Sequence, residues 1–352
     1  MCTTVAERER SFDRPAELVS SDRIMQLGFA FRASKALLCA VEFGLFTELA
    51  NAPLDAEALR RRLGLHERGA RDFFDALVAL GMLERRDGTY FNTPETEFYL
   101  DRRKPSYIGG LLHLANARLY RTFGSLSEAL RTGKPQNEIA GSKDSDLFDS
   151  LYSDAGAVAE FAQAMTGLSL PAARTLAQRL PWAEYRTFID VGTAQGAVPV
   201  EIALAHGHLI GGGLDLPQVR PIFEAYVQRR CLERRLQFQA CDFLKEPLPA
   251  ADVLLMGHIL HDWNLTVKRK LLAKAHAALP KDGLLVVYDR MIDDDRRENA
   301  AGLLMSLSML VETTGGFDYT SADCVGWMEA AGFRKVRREH LCGGCTMVAG
   351  IK

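Results

Sequence analysis

Apolar residues recur at helical spacing from Ile24 to Leu49 (Leu27, Phe31, Leu37, Leu38, Val41, Leu45 and Phe46 between them), which predicts helix over residues 24–50. Asp55 is placed to cap a helix running to Leu63, and a second helix is expected over 71–80. Residues 82–91 then carry Asp87-Gly88 between apolar ends, the dipeptide of a two-residue hairpin turn. Helix, turn, helix, hairpin is the order of a winged helix. Residues 106–180 read as helical, with loops near Gly133-Lys134-Pro135 and over 141–145. From Thr187 the texture changes. Short apolar runs at 188–191, 209–214, 236–238, 253–256 and 284–288 alternate with helical stretches, which predicts a parallel sheet with helices on both faces. A last strand-like run, Met347 to Ile351, follows Cys342-Gly-Gly-Cys345. That pair of cysteines reads as a turn between two strands, because a redox pair belongs at the start of a helix.

Composition narrows the class. The 352 residues are 47% hydrophobic and 25% charged, with 43 Lys+Arg against 45 Asp+Glu. A disordered chain and a generic polyanion binder are both excluded, and this length favours two domains. The winged-helix order raises DNA binding, and charge tests it. Between Asp55 and Lys104 ten basic residues face ten acidic ones, and the second helix carries Phe73, Phe74, Leu77, Val78 and Leu80, which need burial. A packing or dimerisation module follows, and no nucleic-acid partner is expected. The seven cysteines are odd in number and scattered, and the N-terminal stretch with Glu7-Arg8-Glu9-Arg10 has no apolar signal core. With no run of 18 apolar residues, no membrane segment is expected, and reduced thiols in the cytoplasm are the expected state.

Ligands of such sheets bind beyond the carboxyl ends of the strands. The first strand ends in Asp190-Val191-Gly192-Thr193-Ala194-Gln195-Gly196, whose G-x-x-x-G spacing departs from the dinucleotide fingerprint. It suits a nucleoside without phosphate. Asp215, 23 residues after Gly192, ends the second strand, where a carboxylate can accept both ribose hydroxyls. Asp242 and Phe243, after the third strand, can meet an adenine amine and ring. Each Asp taken singly reads equally well as a helix cap. Together, in order, they point to a nucleoside-type cofactor.

With these blocks, and above all with His258-Ile-Leu-His261-Asp262-Trp263 and the upstream Phe161-x-x-x-Met165, the chain resembles the small-molecule O-methyltransferases that use S-adenosylmethionine. That group contains plant caffeate-type, hydroxyindole and many bacterial natural-product enzymes. The resemblance covers nearly the whole chain. It implies a Rossmann-like class I methyltransferase domain with a seven-stranded, mostly parallel sheet over 106–352, including a helical connector. It also implies an all-helical winged-helix-like dimerisation domain over 1–105, and hence a homodimer. S-adenosylmethionine is the implied cofactor and S-adenosylhomocysteine its product. By position the cofactor residues are Ser169, Asp190, Gly192 (methionine end), Gly196, Asp215 (ribose), Asp242 and Phe243 (adenine), Gly257 and Trp263. Plant members carry Lys where this chain has Gly257, so only the backbone remains there.

Methyl transfer requires an aligned acceptor and removal of its proton. His261, after the fourth strand, is the expected base, since imidazole titrates near neutrality; alone it reads as an ordinary loop His. The family's two flanking Glu residues correspond to Asp289 and Asp318, each one methylene shorter, and its Arg after the second acid is Tyr319 here. His258 could share a face with His261, but with no Cys or third His nearby no metal is expected. The acceptor pocket is expected to involve Asn116, Phe161, Met165, His258, Met309 and Thr313. The expected activity is methylation of a hydroxyl on a small aromatic molecule. The alternatives are C- or N-methylation, a non-methylating hydroxylase or decarboxylase on the same fold, and a DNA-binding regulator.

Overall fold

The structure, a computed structural model, describes residues 20–104, 106–137, 139, 148, 151–152 and 154–352; Cys2 and the loop expected at 141–145 lie outside them. The chain opens with helix α1 (Asp22–Glu42), and the apolar run continues in a separate short helix, Leu45–Leu49. The helix expected over 24–50 is thus two helices, separated at Phe43-Gly44. Leu38 and Val41 are buried, but Ile24 and Leu27 are more than 70% exposed and Phe31 is half exposed. By length and composition alone α1 could also cross a membrane, the one such helix among the described residues. Arg32 and Lys35 interrupt the run that a count of consecutive apolar residues looks for.

Helices α2 (Ala56–Arg62) and α3 (Glu67–Ala79) pack beside a three-stranded sheet of β1 (Leu54–Asp55), β2 (Leu83–Arg86) and β3 (Thr89–Asn92), in the order β1-β3-β2. The Asp55 carboxylate caps α2 by accepting from the Ala58 N–H at 2.8 Å. Asp87 and Gly88 both take positive φ, +49° and +79°, as the tight hairpin between β2 and β3 requires. Leu59, Phe74, Leu77 and Tyr90 close this small core.

Short helices and a π-helical turn (Ala115–Leu119) lead to α4 (Ala155–Arg179), which Asp154 caps by accepting from the Ala157 N–H. Spacing of four residues puts Phe161, Met165 and Ser169 on one face of α4. The second domain is built on β4 (Thr187–Val191), β5 (Ile210–Asp215), β6 (Leu236–Ala240), β7 (Val253–Gly257), β8 (Leu284–Asp289), β9 (Arg334–Cys342) and β10 (Cys345–Ile351). Their order is β6-β5-β4-β7-β8-β10-β9. The first five pair in parallel, while β10 runs antiparallel to both β8 and β9. Helices α5 (Ala197–Ala205), α6 (Leu265–Ala278) and α7 (Ala300–Glu312) complete the elements used below.

Successive residues of a strand point to opposite faces. Phe188, Val253, Leu255 and Val286 enter the core on one side of the sheet, and Val191, Leu254, Met256, Leu285 and Val287 enter the core on the other. A strand buried on both faces reads as the continuous apolar runs seen in the sequence. The strand order reverses at β4, whose neighbours are β5 on one side and β7 on the other, and a crevice opens beyond its carboxyl end.

Candidate active site

A cavity of about 450 Å³ occupies that crevice. The strand ends contribute Asp190, Gly192, Asp215, Asp242, Phe243, Gly257, His258, His261 and Trp263, and α4 contributes Phe161, Met165 and Ser169. Leu111, Leu114 and Leu119, from the helical segments before α4, and Met305 and Met309 of α7 supply an apolar wall. The sequence thus brings together most of its candidates, and five lie elsewhere. Asp289 and Asp318 sit behind His261. Gly196 opens α5 against the Phe223 ring, at φ +93°, and shapes the turn beneath the cavity. Asn116 is turned away: its amide oxygen accepts from Lys35 and its amide N–H donates to Glu42 at 2.5 Å, both on α1. Thr313 ends α7, its hydroxyl donating to the Met309 carbonyl at 2.8 Å and accepting from the Gly316 N–H at 2.7 Å. A residue satisfied by its neighbours in this way is poorly placed to meet an acceptor.

One half of the cavity is acidic. Asp215 accepts from the Ala194 N–H at 2.9 Å and the Leu216 N–H at 2.8 Å, and burial lifts its carboxyl to about 6. Burial lifts Asp190 to about 7. Asp242 stays below the usual carboxylate range; its partial burial is outweighed by Lys245, 2.8 Å away, and by the Leu244 N–H. A Cβ on Gly192 would lie 2.2 Å from the Ile259 side chain, and φ there is +70°, so a glycine keeps this floor open. Phe243 meets Trp263 edge-on, with centroids 6.2 Å apart, and the buried Trp263 indole N–H has no partner among the described residues. Three carboxylates at successive strand ends repel a pyrophosphate and match hydroxyl and amine donors. An adenosyl group carrying an ammonium and a sulfonium fits this donor set.

The other half holds two histidines. The His261 Nδ1 lies 3.4 Å from Asp318 Oδ1 and 3.9 Å from Asp289 Oδ1, while its Nε2 lies 3.6 Å from Asp262 Oδ1. Burial works against its charged form, but Asp262, Asp289 and Asp318 outweigh it and raise His261 to about 10. His258, at φ +55° after β7, lies 3.6 Å from Asp289. Burial, then the charges of His261 and Arg290, push it down to about 3, so it stays neutral. Asp289 accepts a hydrogen bond from the Tyr319 hydroxyl, and burial lifts it to about 6 against the pull of His261. His258, His261 and Asp289 bring possible ligand atoms within 4.8 Å of one another, a spacing that could hold a metal ion. The Lys268 ammonium, buried beside the same acids, opposes a second cation there.

Sequence reading missed two residues here. Lys268 lies three and four residues before Leu271 and Leu272, on the buried stripe of α6, and that periodicity was the available signal. Tyr288 on β8 is the register partner of Gly257 on β7, and a Cβ on Gly257 would lie 1.9 Å from the Tyr288 ring. The space a longer side chain would need at 257 is filled from the neighbouring strand.

Comparison with known proteins agrees with this geometry. Residues 123–334 match an O-methyltransferase domain and residues 25–102 an O-methyltransferase dimerisation domain. The chain is 44% identical over 330 residues to the tetracenomycin polyketide synthesis 8-O-methyl transferase TcmO of Streptomyces glaucescens, covering 94% of this chain and 96% of that one. It is 37% identical over 278 residues to the N,N-dimethyltransferase OxyT of Streptomyces rimosus, covering 79% and 80%. Among solved structures it resembles human N-acetylserotonin methyltransferase in complex with S-adenosylmethionine, with a TM-score of 0.87, 26% identity and coverage of 96% and 99%.

Proposed function

The chain belongs to the O-methyltransferase family, and on that premise we propose that His261 is the general base that deprotonates a hydroxyl on a flat aromatic acceptor. The enzyme is S-adenosylmethionine-dependent, as its family is. Bound S-adenosylmethionine supplies a methyl already activated on a sulfonium. What remains for the protein is to hold the acceptor in line and take its proton.

The observation that carries the reading is the placement of His261. It lines the cavity with its Nδ1 beside Asp318 and Asp289, and Nε2, which Asp262 Oδ1 approaches to 3.6 Å, is the nitrogen assigned to the acceptor. Acids that face Nδ1 fix the tautomer and orientation of an imidazole base. In this reading Asp215 holds the ribose, Asp242 and Phe243 hold the adenine, and Gly192, Asp190, Ser169 and Trp263 enclose the rest. Phe161, Met165 and Met309 support a flat ring: they give aromatic and polarisable walls, as an acceptor such as the N-acetylserotonin of the human relative would need. The two-domain division near residue 105 and a homodimer formed through the N-terminal domain belong to the same proposal, as does a reducing cytoplasmic setting for the free thiols.

His261→Ala is expected to lower kcat about 10²- to 10⁴-fold while the melting-temperature rise on adding S-adenosylhomocysteine persists. Full turnover in that variant removes His261 from the chemistry. The acceptor class is tested by following S-adenosylhomocysteine release from phenols, hydroxyindoles and quinols, with amines as the comparison that the relation to OxyT calls for. Turnover with amines alone overturns the hydroxyl assignment.

A further inference from the structure

Three acids, Asp262, Asp289 and Asp318, face His261. One more cation is buried with them. Lys268 on α6 is fully enclosed, and its ammonium donates to the main-chain carbonyl of Trp263 and to that of Phe317 at 2.9 Å. It also lies 3.7 Å from the centroid of the Phe317 ring and 5.4 Å from that of Tyr319. Trp263 stands two residues after His261, and Phe317 directly precedes Asp318. A single ammonium therefore ties the segment that carries the base to the segment that carries its nearest acid.

Enclosing an ammonium is costly unless its neighbours compensate. A position that only had to pack would hold an apolar side chain, as Leu271 and Leu272 do one turn later. Tyr319, which donates to Asp289, brings no charge to the cluster. The cluster takes its balancing charge from a different element.

We propose that Lys268 is the positioning residue of this active site, fixing the meeting of His261 with Asp318 and balancing the surrounding acids. The proposal rests on the reading of His261 as base. The groups facing His261 are Asp262 from its own segment, His258 from the end of β7, Asp289 from the end of β8, and Asp318 from the loop after α7. The Lys268 ammonium faces the same three acids. Burial lowers this ammonium to about 8, so its charge acts on the cluster at neutral pH and is gone by pH 9, and removing it should cost most at neutral pH.

The test compares Lys268→Met with the unaltered enzyme, each also in a His261→Ala background. At neutral pH Lys268→Met is expected to lower kcat about 10- to 100-fold, the scale of a small misplacement of a reacting group. KM for the acceptor and the melting-temperature rise with S-adenosylhomocysteine should stay close to those of the unaltered enzyme. The loss of kcat should be smaller at pH 9 than at pH 7. In the His261→Ala background Lys268→Met should cost nothing further, because the two residues act as a unit. A loss that is equal at pH 7 and pH 9, or the same loss in both backgrounds, overturns the assignment. Full turnover of His261→Ala alone overturns the base reading instead, so the two failures are distinct. Lys268→Gln serves if Lys268→Met does not fold: a loss that shrinks between pH 7 and pH 9 supports the proposal and an equal one overturns it.

Discussion

His261 is held between opposite demands. A base must be neutral when it meets its substrate, yet burial, which disfavours charge, is outweighed by Asp262, Asp289 and Asp318, and the imidazole is raised to about 10. Its protonated form is therefore stabilised in the folded chain. That contribution is complete below the ordinary value of about 6.5 and is lost as pH rises through about 10. His258, at about 3, and Asp289, at about 6, have both lost their protons by pH 7, whereas Asp190, at about 7, and Lys268, at about 8, titrate alongside His261, so the share of His261 is the part of the change that His261→Ala removes. A sulfonium brought into the same cavity opposes the imidazolium, and the neutral sulfur of S-adenosylhomocysteine does not. The ratio of the S-adenosylmethionine Kd to the S-adenosylhomocysteine Kd should thus fall between pH 7 and 9, by at most about tenfold per unit. Calorimetric titration with both ligands measures it. A ratio that stays flat would mean that the sulfonium and the His261 charge are not coupled in this range.

At the scale of elements, the strand pair β7–β8 shows how the site is made by neighbours distant in sequence. Gly257 and Tyr288 are partners in register, and the Tyr288 ring takes the volume a side chain at 257 would need. Gly257→Ala should cost about 1–3 kcal/mol through overpacking. Tyr288→Ala should remove most of that penalty, so thermal unfolding of the double variant should show positive coupling. Additive losses would mean that the two residues do not compete for space. The same pair marks the limit of what was legible in the sequence. The strands β7 and β8, buried on both faces, carry the apolar runs Val253 to Met256 and Leu284 to Val287, and the β2–β3 turn is spelled out by Asp87-Gly88. Asp215 and Asp242 could be read because a strand end is a local feature with a known position in the sheet. The periodicity of α6 marks Lys268 as buried, but its role depends on Trp263 and Phe317, as that of Tyr288 depends on Gly257, and neither role is local. Asn116 was misplaced for a related reason: its partners, Lys35 and Glu42, belong to α1, and nothing near 116 announces them.

At the scale of the whole molecule, α1 presents a surface that a lone chain leaves unsatisfied. Ile24, Met25, Leu27, Phe29 and Phe31 are all at least 40% exposed, at the edge of a region matched to a dimerisation domain. The ten basic and ten acidic residues between Asp55 and Lys104 leave no field that would keep two copies apart or draw in nucleic acid. Each large apolar side chain buried in a dimer contributes about 1.5–3 kcal/mol. Replacing two of them with carboxylates, as Leu27→Asp with Phe31→Asp, should therefore weaken association at least about 100-fold and shift the sedimentation coefficient from dimer to monomer. His261 and Asp215 line the cavity and, like Lys268, lie in the second domain. The monomer should accordingly keep the melting-temperature rise with S-adenosylhomocysteine. A variant that still sediments as a dimer would place the interface on another face, and a monomer without cofactor response would show that the partner helps to build the site.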